Sequence, residues 1–287
     1  MKLILFGNDH QESNLPAIVQ LIDGLLARQV NVVVESDFYR YLNSSRHTLS
    51  REVQQAQAHD LPGDIDAALS LGGDGTFLTT VMWVAQLGIP IMGINAGHLG
   101  YLAACSLSDA PEAISELLSG DCKVQLRSML QVRCEGVEIE HPYALNDVAI
   151  LRQDTSSMIE METTLQGQPL TTYKGDGLVV CTPTGSTAYN LSAGGPILEP
   201  TTQCMALSPL SPHSLTMRPL VIPMTSVVSI VTRTRADYYQ VSVDGEAFTC
   251  PSGSMVTISE APIKVRVIVR RGHHFASTLR HKLHWGF

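Results

Sequence analysis

The sequence has no CxxC pair among its six cysteines, no Walker-type GK[ST] loop, no GxGxxG fingerprint and no apolar run long enough to cross a membrane. Each absence removes a class of function. The cysteines, at 105, 122, 134, 181, 204 and 250, lack metal-type spacing with histidine, and most sit in apolar strand-like runs such as LVVCTP. They read as buried, reduced thiols, which implies a reducing compartment. The opening apolar run, Leu3 to Phe6, is too short for the core of a signal peptide, so a soluble, cytoplasmic protein is expected. Basic charge is scarce too: 19 Lys and Arg against 27 Asp and Glu leave a formal net charge of −8, which argues against nucleic acid as a partner. An acidic chain that binds nucleotides needs backbone amides, a metal ion or a few placed cations.

With 287 residues, 44% of them hydrophobic, the chain is long enough for two packed domains. Up to about residue 120, strand-like and helix-like segments alternate. Residues 2–6, 30–34, 67–71 and 90–94 read as strands; 16–28, 76–87 and 109–119 read as helices, the last with Asp109 as N-cap and Gly120 just past its end. Such alternation predicts a Rossmann-like parallel α/β domain over residues 1–122. From Lys123 the helical period vanishes. Short β-rich runs at 126–134, 144–151, 158–165, 178–181, 227–232, 239–243, 255–258 and 263–269 predict a β-rich domain over 123–271. Residues 272–287 are expected to form a last, helical segment that returns toward the first domain.

The run Leu71-Gly72-Gly73-Asp74-Gly75-Thr76 leaves a predicted strand and opens a predicted helix. Bare amides at a helix N-terminus suit a phosphate, and the glycines remove the Cβ atoms that would keep it away. A carboxylate in such a turn repels an anion unless it has work there. Asp74 therefore holds a magnesium ion, accepts a proton from an attacking hydroxyl, or only caps the helix. A second glycine loop, GINAGHLGYL, follows the next strand, with His98 expected as a bystander.

In the β-rich half, Asn146 and Asp147 interrupt an apolar strand, where alternation sends them to opposite faces unless a bulge or strand end intervenes. A buried pair of this kind needs partners, either a ligand or a loop. The run from Tyr173 to Pro196 places a strand between a GDG turn and a dense series of hydroxyls and glycines, a surface able to hydrogen-bond ribose and stack a ring on Tyr189. Val243-Asp244-Gly245-Glu246 reads as a hairpin turn, more structural than functional.

Taken in order, GGDGTFL, GINAGHLGYL, NDVAI, DGLVVCTPTGSTAYNLSAGGPI, PHSLTMRPLV and VDGE resemble the NAD kinase family, over nearly the whole chain from Leu71 to Trp285. GGDGT alone is less specific, because lipid kinases share a similar turn. The resemblance implies ATP-dependent phosphorylation of the 2′-hydroxyl on the adenosine ribose of NAD, with NAD bound between the two domains, a divalent metal such as magnesium, and a homodimer or homotetramer. It implies that Asp74 is the catalytic carboxylate, with Gly72, Gly73, Gly75 and Thr76 around the nucleotide. Asn146, Asp147 and Asp176 contact the dinucleotide in this reading. Thr187, Ala188, Tyr189, Asn190, Leu191 and Ser192 line the nucleoside pocket, and Lys174 and Glu246 occupy positions that touch ligand. The family usually has Asn-Glu where this chain has Asn146-Asp147, so the carboxylate is drawn back by one methylene and a direct ribose contact becomes water-mediated. The short segment ahead of the first strand is expected of a bacterial-type member. A catalytically inactive NAD(H)-binding sensor and a GGDGT-type lipid kinase are the competing readings.

Overall fold

The structure is a computed structural model that describes residues 1–44, 49–96, 100–103, 105–153 and 157–286. His98 and its neighbours Gly97 and Leu99 in the second glycine loop lie outside the described residues. The chain divides into two units, Met1–Leu126 with Val265–Phe287, and Arg127–Lys264. The sequence boundaries at 122/123 and 271/272 thus compare with structural ones at 126/127 and 264/265.

In the first unit the elements run β1 (Lys2–Phe6), α1 (Leu15–Ala27), β2 (Asn31–Glu35), α2 (Ser36–Ser44), β3 (Gln54–Ala56), β4 (Ala67–Leu71), α3 (Asp74–Val84), β5 (Ile91–Asn95), β6 (Cys105–Ser106) and α4 (Ala110–Leu118). The strands pair in parallel in the order β3-β2-β1-β4-β5. The sheet is covered on both faces, so its central strands are unbroken apolar runs: every residue of β4 is buried. Helix α1 turns Leu15, Ile18, Leu21, Ile22 and Leu25 inward at helical spacing. Helices α3 and α4 are followed by Gly88 and Gly120 at φ of +66° and +74°, the left-handed conformation that lets a chain leave a helix sharply. Asp109 precedes α4 as expected but makes no side-chain cap. Its dihedrals are already helical (φ −89°, ψ −5°), and its carboxylate accepts the Ser106 hydroxyl at 2.5 Å instead.

The second unit is a pair of antiparallel layers. β7 (Cys122–Cys134) leads into it, followed by β8 (Tyr143–Ala144), β9 (Asp147–Leu151), β10 (Ile159–Leu165), β11 (Gln168–Gly175), β12 (Gly177–Cys181), α5 (Tyr189–Ser192), β13 (Cys204–Leu210), β14 (Leu220–Pro223), β15 (Val228–Arg233), β16 (Tyr238–Val243), β17 (Glu246–Pro251) and β18 (Met255–Arg270). One layer is six-stranded, in the order β14-β13-β12-β9-β16-β17; β11, β10, β15 and the first part of β18 pair in the other. Alternation decides what fills the space: Val148, Ile150, Val180 and Val241 meet Ile159, Met161, Ile230 and Val256 in one core. The opposite face of the six-stranded layer, Ala149, Val179, Cys181 and Ala206, is covered by Ala193 and Leu198 of the hydroxyl-rich segment. That segment is folded onto the sheet rather than left as a solvated turn.

The two runs expected at 255–258 and 263–269 form one strand, β18, 16 residues long. Its last residues belong to the first unit, where Val267 pairs in parallel with Ile91. The chain then forms α6 (Phe275–Leu283), also in the first unit. No described helix is long and apolar enough to cross a membrane.

Candidate nucleotide-binding and phosphoryl-transfer residues

In the first unit the strand order reverses between β1 and β4, the topological switch point at whose carboxyl edge open α/β sheets bind ligands. β1 ends there in Gly7-Asn8 and β4 in Gly72-Gly73. A short polar network joins the two ends. Asn8 Nδ2 donates to Thr76 Oγ1 at 2.9 Å, and Gln11 Nε2 donates to the Leu71 carbonyl at 2.7 Å and to Asn8 Oδ1 at 3.2 Å. A Cβ on Gly72 would lie 2.3 Å from Thr76 Oγ1, so this position must be glycine if Thr76 is to reach Asn8. Cβ atoms on Gly73 and Gly75 would meet nothing within 4 Å, so the first turn of α3 presents open backbone. The amides of a first helical turn have no partner inside the helix and carry the positive end of its dipole.

Asp74 is the first residue of α3, with Gly73 at the N-cap position, and it does not cap the helix. Its carboxylate reaches to the loop after β5: Oδ2 accepts the Tyr101 amide at 2.8 Å and Oδ1 the Leu102 amide at 2.9 Å. A carboxylate can accept about four hydrogen bonds, so among the described residues each oxygen keeps a lone pair that no donor occupies. Gly100 permits the approach, since a Cβ there would lie 2.5 Å from Asp74 Oδ1. The same loop is held from outside by Lys282 of α6, whose ammonium donates to the carbonyls of Gly100, Tyr101 (3.3 Å) and Ala103 (3.1 Å). Burial lowers the Lys282 pKa, and the negative charge of Asp74 works against that shift.

In the second unit the Asn146-Asp147 pair stands where β8 has ended and β9 begins, so a strand end resolves the conflict with alternation. Its backbone is anchored by Asp244. The turn Val243-Asp244-Gly245-Glu246 has φ of +49° and +93° at its two central residues, the combination of a type I′ hairpin. It turns the Asp244 carboxylate toward Leu145, Asn146 and Asp147, whose amides donate to it at 2.7, 2.8 and 3.0 Å. Gly185 lies against the other side: a Cβ there would be 2.0 Å from the Asn146 carbonyl oxygen. Asn146 Oδ1 and Thr184 Oγ1 are buried with no hydrogen-bond partner among the described residues, an arrangement that native structures tolerate mainly where a ligand or water completes it. Burial, then the charge of Asp244, pushes the Asp147 pKa up to about 7 against a hydrogen bond from the Tyr189 amide. Burial pushes Asp244 up to about 6, opposed by its three amide donors.

Five of the remaining expected residues differ in where the structure puts them. Tyr189 is 40% exposed, with its ring available for stacking. Asn190, by contrast, is fully buried and committed to the fold. Its Nδ2 donates to the carbonyls of Ser186 (3.2 Å) and Pro196 (3.0 Å), and its Oδ1 accepts the Ser208 hydroxyl at 2.6 Å. Glu246 starts β17 beside the Asp244 turn, at the Asn146-Asp147 end of the sheet. Lys174 and Asp176 lie at the other end: β9 and β12 pair Cys181 with Asp147 but Gly177 with Leu151, a separation of roughly 14 Å along the strand. There Lys174 pairs with Glu160 at 2.7 Å and Asp176 with Arg152 at 3.1 Å. Sequence reasoning did not pick out Asn8, Gln11, Gly100, Thr184, Gly185 or Lys282. Asn8 carried a signal as a polar residue just past the carboxyl end of a buried strand, Gly100 lies in the second glycine loop, and Thr184 and Gly185 lie in the hydroxyl-rich run; Gln11 and Lys282 carried none.

Comparison with known proteins matches two family models, the ATP-NAD kinase N-terminal domain over residues 3–122 and the ATP-NAD kinase C-terminal domain over residues 145–270. An NAD kinase of Bacteroides fragilis is 40% identical over 100% of this chain and 98% of its own length. NAD kinases of Flavobacterium psychrophilum (37%, 100% and 98%) and Geotalea daltonii (34%, 99% and 99%) are similar in the same way. Among solved structures, yeast NADH kinase complexed with NADH superimposes with a TM-score of 0.88 at 23% identity, covering 100% of this chain and 88% of that one. An NAD kinase from Archaeoglobus fulgidus in complex with ATP gives 0.72 at 22%, covering 98% and 99%. At that identity the two structures speak for the fold. With both domain models matched and relatives aligned from end to end, the chain belongs to the NAD kinase family of phosphotransferases.

Proposed function

We propose that this kinase transfers the γ-phosphoryl group of ATP to the 2′-hydroxyl of the adenosine ribose of NAD, giving NADP and ADP, with Asp74 as the catalytic carboxylate. The observation that carries the role of Asp74 is its geometry. It sits on the first turn of a helix at the switch point, it does not cap that helix, and two loop amides fix its direction while leaving, among the described residues, a lone pair on each oxygen. The ribose oxygen attacks the γ-phosphorus, its proton passes to Asp74, and the bond from phosphorus to the bridging oxygen of ADP breaks. Backbone amides of residues 73–76 stabilise charge on the phosphate oxygens. In the second unit, Asn146 Oδ1 and Thr184 Oγ1 supply an acceptor and a hydroxyl for the dinucleotide, and Tyr189 supplies a face for its base. Thr187, Leu191 and Ser192 of the same segment complete the nucleoside pocket in this reading, and Asp147 reaches the ribose through a water.

Magnesium fits this chemistry as a companion of ATP. Among the described residues no group of three or more His, Cys, Asp and Glu side chains could hold a metal alone, and magnesium is commonly carried by substrate phosphates, waters and one or two carboxylates. Asp74 is the carboxylate of the turn that would face it. The metal supplies charge neutralisation on the phosphates, which an acidic protein otherwise lacks.

Lys174 and Asp176, remote from Asn146 within one chain, contribute to ligand binding only if a second copy presents them, which accords with a homodimer or homotetramer in the cytoplasm. Sedimentation equilibrium reads that state directly.

The test of the reaction is a coupled assay with NAD, ATP and magnesium, in which an NADP-specific dehydrogenase reports product. NADP formation is expected. Calorimetric binding of NAD with no product would instead identify a sensor.

A further inference from the structure

The ammonium group of Lys282 has three N–H donors and spends all of them on one loop, on the carbonyls of Gly100, Tyr101 and Ala103. It also lies 5.9 Å from the centroid of the Tyr101 ring. The other side of the same loop presents its Tyr101 and Leu102 amides to the two carboxylate oxygens of Asp74. Carbonyls and amides of one short stretch therefore link a cation on α6 to the carboxylate on α3, through two layers of hydrogen bonds. A lysine is costly to bury even in part, and this half-buried one donates to neutral carbonyls, with the charge of Asp74 only partly offsetting the desolvation. Such an arrangement is poorly explained by stability alone, since an apolar side chain on α6 would cover the loop without the desolvation cost.

We propose that Lys282 is a positioning residue for Asp74: by clamping the loop 100–103 it aims the two amides that set the direction of the carboxylate. The inference rests on the catalytic role assigned to Asp74 above. Loss of the clamp frees the loop, and with it the orientation of the carboxylate, without touching the residues that hold NAD. Misplacing a reacting group by about 1 Å can cost on the order of 10²-fold in rate, so the signature is a loss in kcat and not in binding.

Three variants and one double variant test this: Lys282→Met, Lys282→Arg, Gly100→Ala and Lys282→Met in the Asp74→Asn background. Each is assayed for kcat and KM and titrated with NAD by calorimetry. Lys282→Met is expected to lower kcat about 10- to 100-fold, with the NAD dissociation constant within about twofold of wild type, and Lys282→Arg, which keeps donors and charge, to recover most of the rate. Gly100→Ala pushes on the Asp74 carboxylate from the loop side with the clamp intact, so it is expected to reproduce the kcat-selective loss even if Lys282→Met folds poorly. In Asp74→Asn, Lys282→Met is expected to cost nothing further, because its effect runs through the missing carboxylate. Wild-type kcat in Lys282→Met or in Gly100→Ala, or an equal loss in both backgrounds, overturns the inference. If Asp74→Asn itself turns over normally, the assignment of Asp74 fails; if it is inactive while Lys282→Met is not, the clamp alone fails.

Discussion

Asp147 and Asp244 are tied to each other by two hydrogen bonds: the Asp147 amide donates to Oδ1 of the Asp244 carboxylate, and the Asp244 amide donates to the Asp147 carbonyl, both at 3.0 Å. The pairing places two carboxyl groups in one buried region. Burial first, and for Asp147 the charge of its neighbour second, raises both pKa values, to about 7 and about 6. In an unfolded chain each would titrate near 3.9. The folded state therefore binds protons more tightly, and the stability this contributes is complete below about pH 4 and is lost as pH rises toward 7. Asp147→Asn, which cannot ionise there, is expected to melt several degrees above wild type at pH 8, with the gap closing toward pH 4. Thermal unfolding across that range decides it. Asp244→Asn is expected to lower the melting temperature at pH 8, where the ionised carboxylate accepts three backbone N–H bonds on its two oxygens and an amide group offers only one oxygen. A wild type that loses no more stability than Asp147→Asn between pH 4 and 8 would contradict the assignment.

Asp74→Asn keeps the shape of the side chain and one acceptor for the loop amides, but cannot take a proton. Turnover is expected to fall about 10² to 10⁴-fold, the range for removal of a general base, with NAD binding retained. The coupled assay and calorimetry together separate this from a defect in binding. Unchanged turnover would leave Asp74 as a strut for the loop after β5 and nothing more.

What could be read from the sequence follows from how local the cause was. Strands buried on both faces write themselves as apolar runs, and Ala67–Leu71 was legible to the residue. Strand β11 was not, because QPLTTYKG mixes hydroxyls and lysine into a half-exposed strand, and α2 hid because only Phe38 and Leu42 mark its inner face among the polar residues. The glycine turn around Asp74 was visible as a phosphate-type turn, since bare amides and missing Cβ atoms are properties of adjacent residues. The direction of its carboxylate was not, because the partners are the amides of Tyr101 and Leu102, on a different loop. Asn190 shows the reverse case: within a run of hydroxyls it reads as a ligand contact, whereas its buried side chain also accepts the hydroxyl of Ser208, on a neighbouring strand, which sequence order does not reveal.

Thr184 carries a buried hydroxyl without a partner among the described residues, and Thr184→Val removes that hydroxyl at nearly constant volume. An unsatisfied buried polar group costs about 1–3 kcal/mol, so the free protein is expected to gain stability on this change. If the hydroxyl is reserved for the dinucleotide, affinity for NAD falls about tenfold, equivalent to one ordinary hydrogen bond. Stability rising while affinity falls is the outcome that marks a binding residue. A gain in stability with unchanged affinity would mark Thr184 as packing.

Gly185 offers the sharpest steric test in the second unit. Its missing Cβ leaves room for the Asn146 carbonyl oxygen, carbonyl carbon and Cα, at 2.0, 2.3 and 2.5 Å from where that atom would stand. All three are backbone atoms, and the Asn146 main chain cannot retreat easily: its amide is held by Asp244 at 2.8 Å and its carbonyl accepts the Thr182 amide at 2.9 Å. Gly185→Ala must therefore either break the Asp244 anchor or lift the loop that carries Thr184 and Tyr189. Both routes part Asn146 from Thr184. The expected result is a melting temperature lower by several degrees, as overpacking costs about 1–3 kcal/mol, together with a KM for NAD raised at least tenfold. Gly73→Ala is the matched control for stability, since a Cβ there meets nothing within 4 Å and the fold should hold. If Gly185→Ala matched wild type in both melting temperature and KM, the close contact with Asn146 would not exist in solution, and the arrangement of the dinucleotide residues built on it would have to be redrawn.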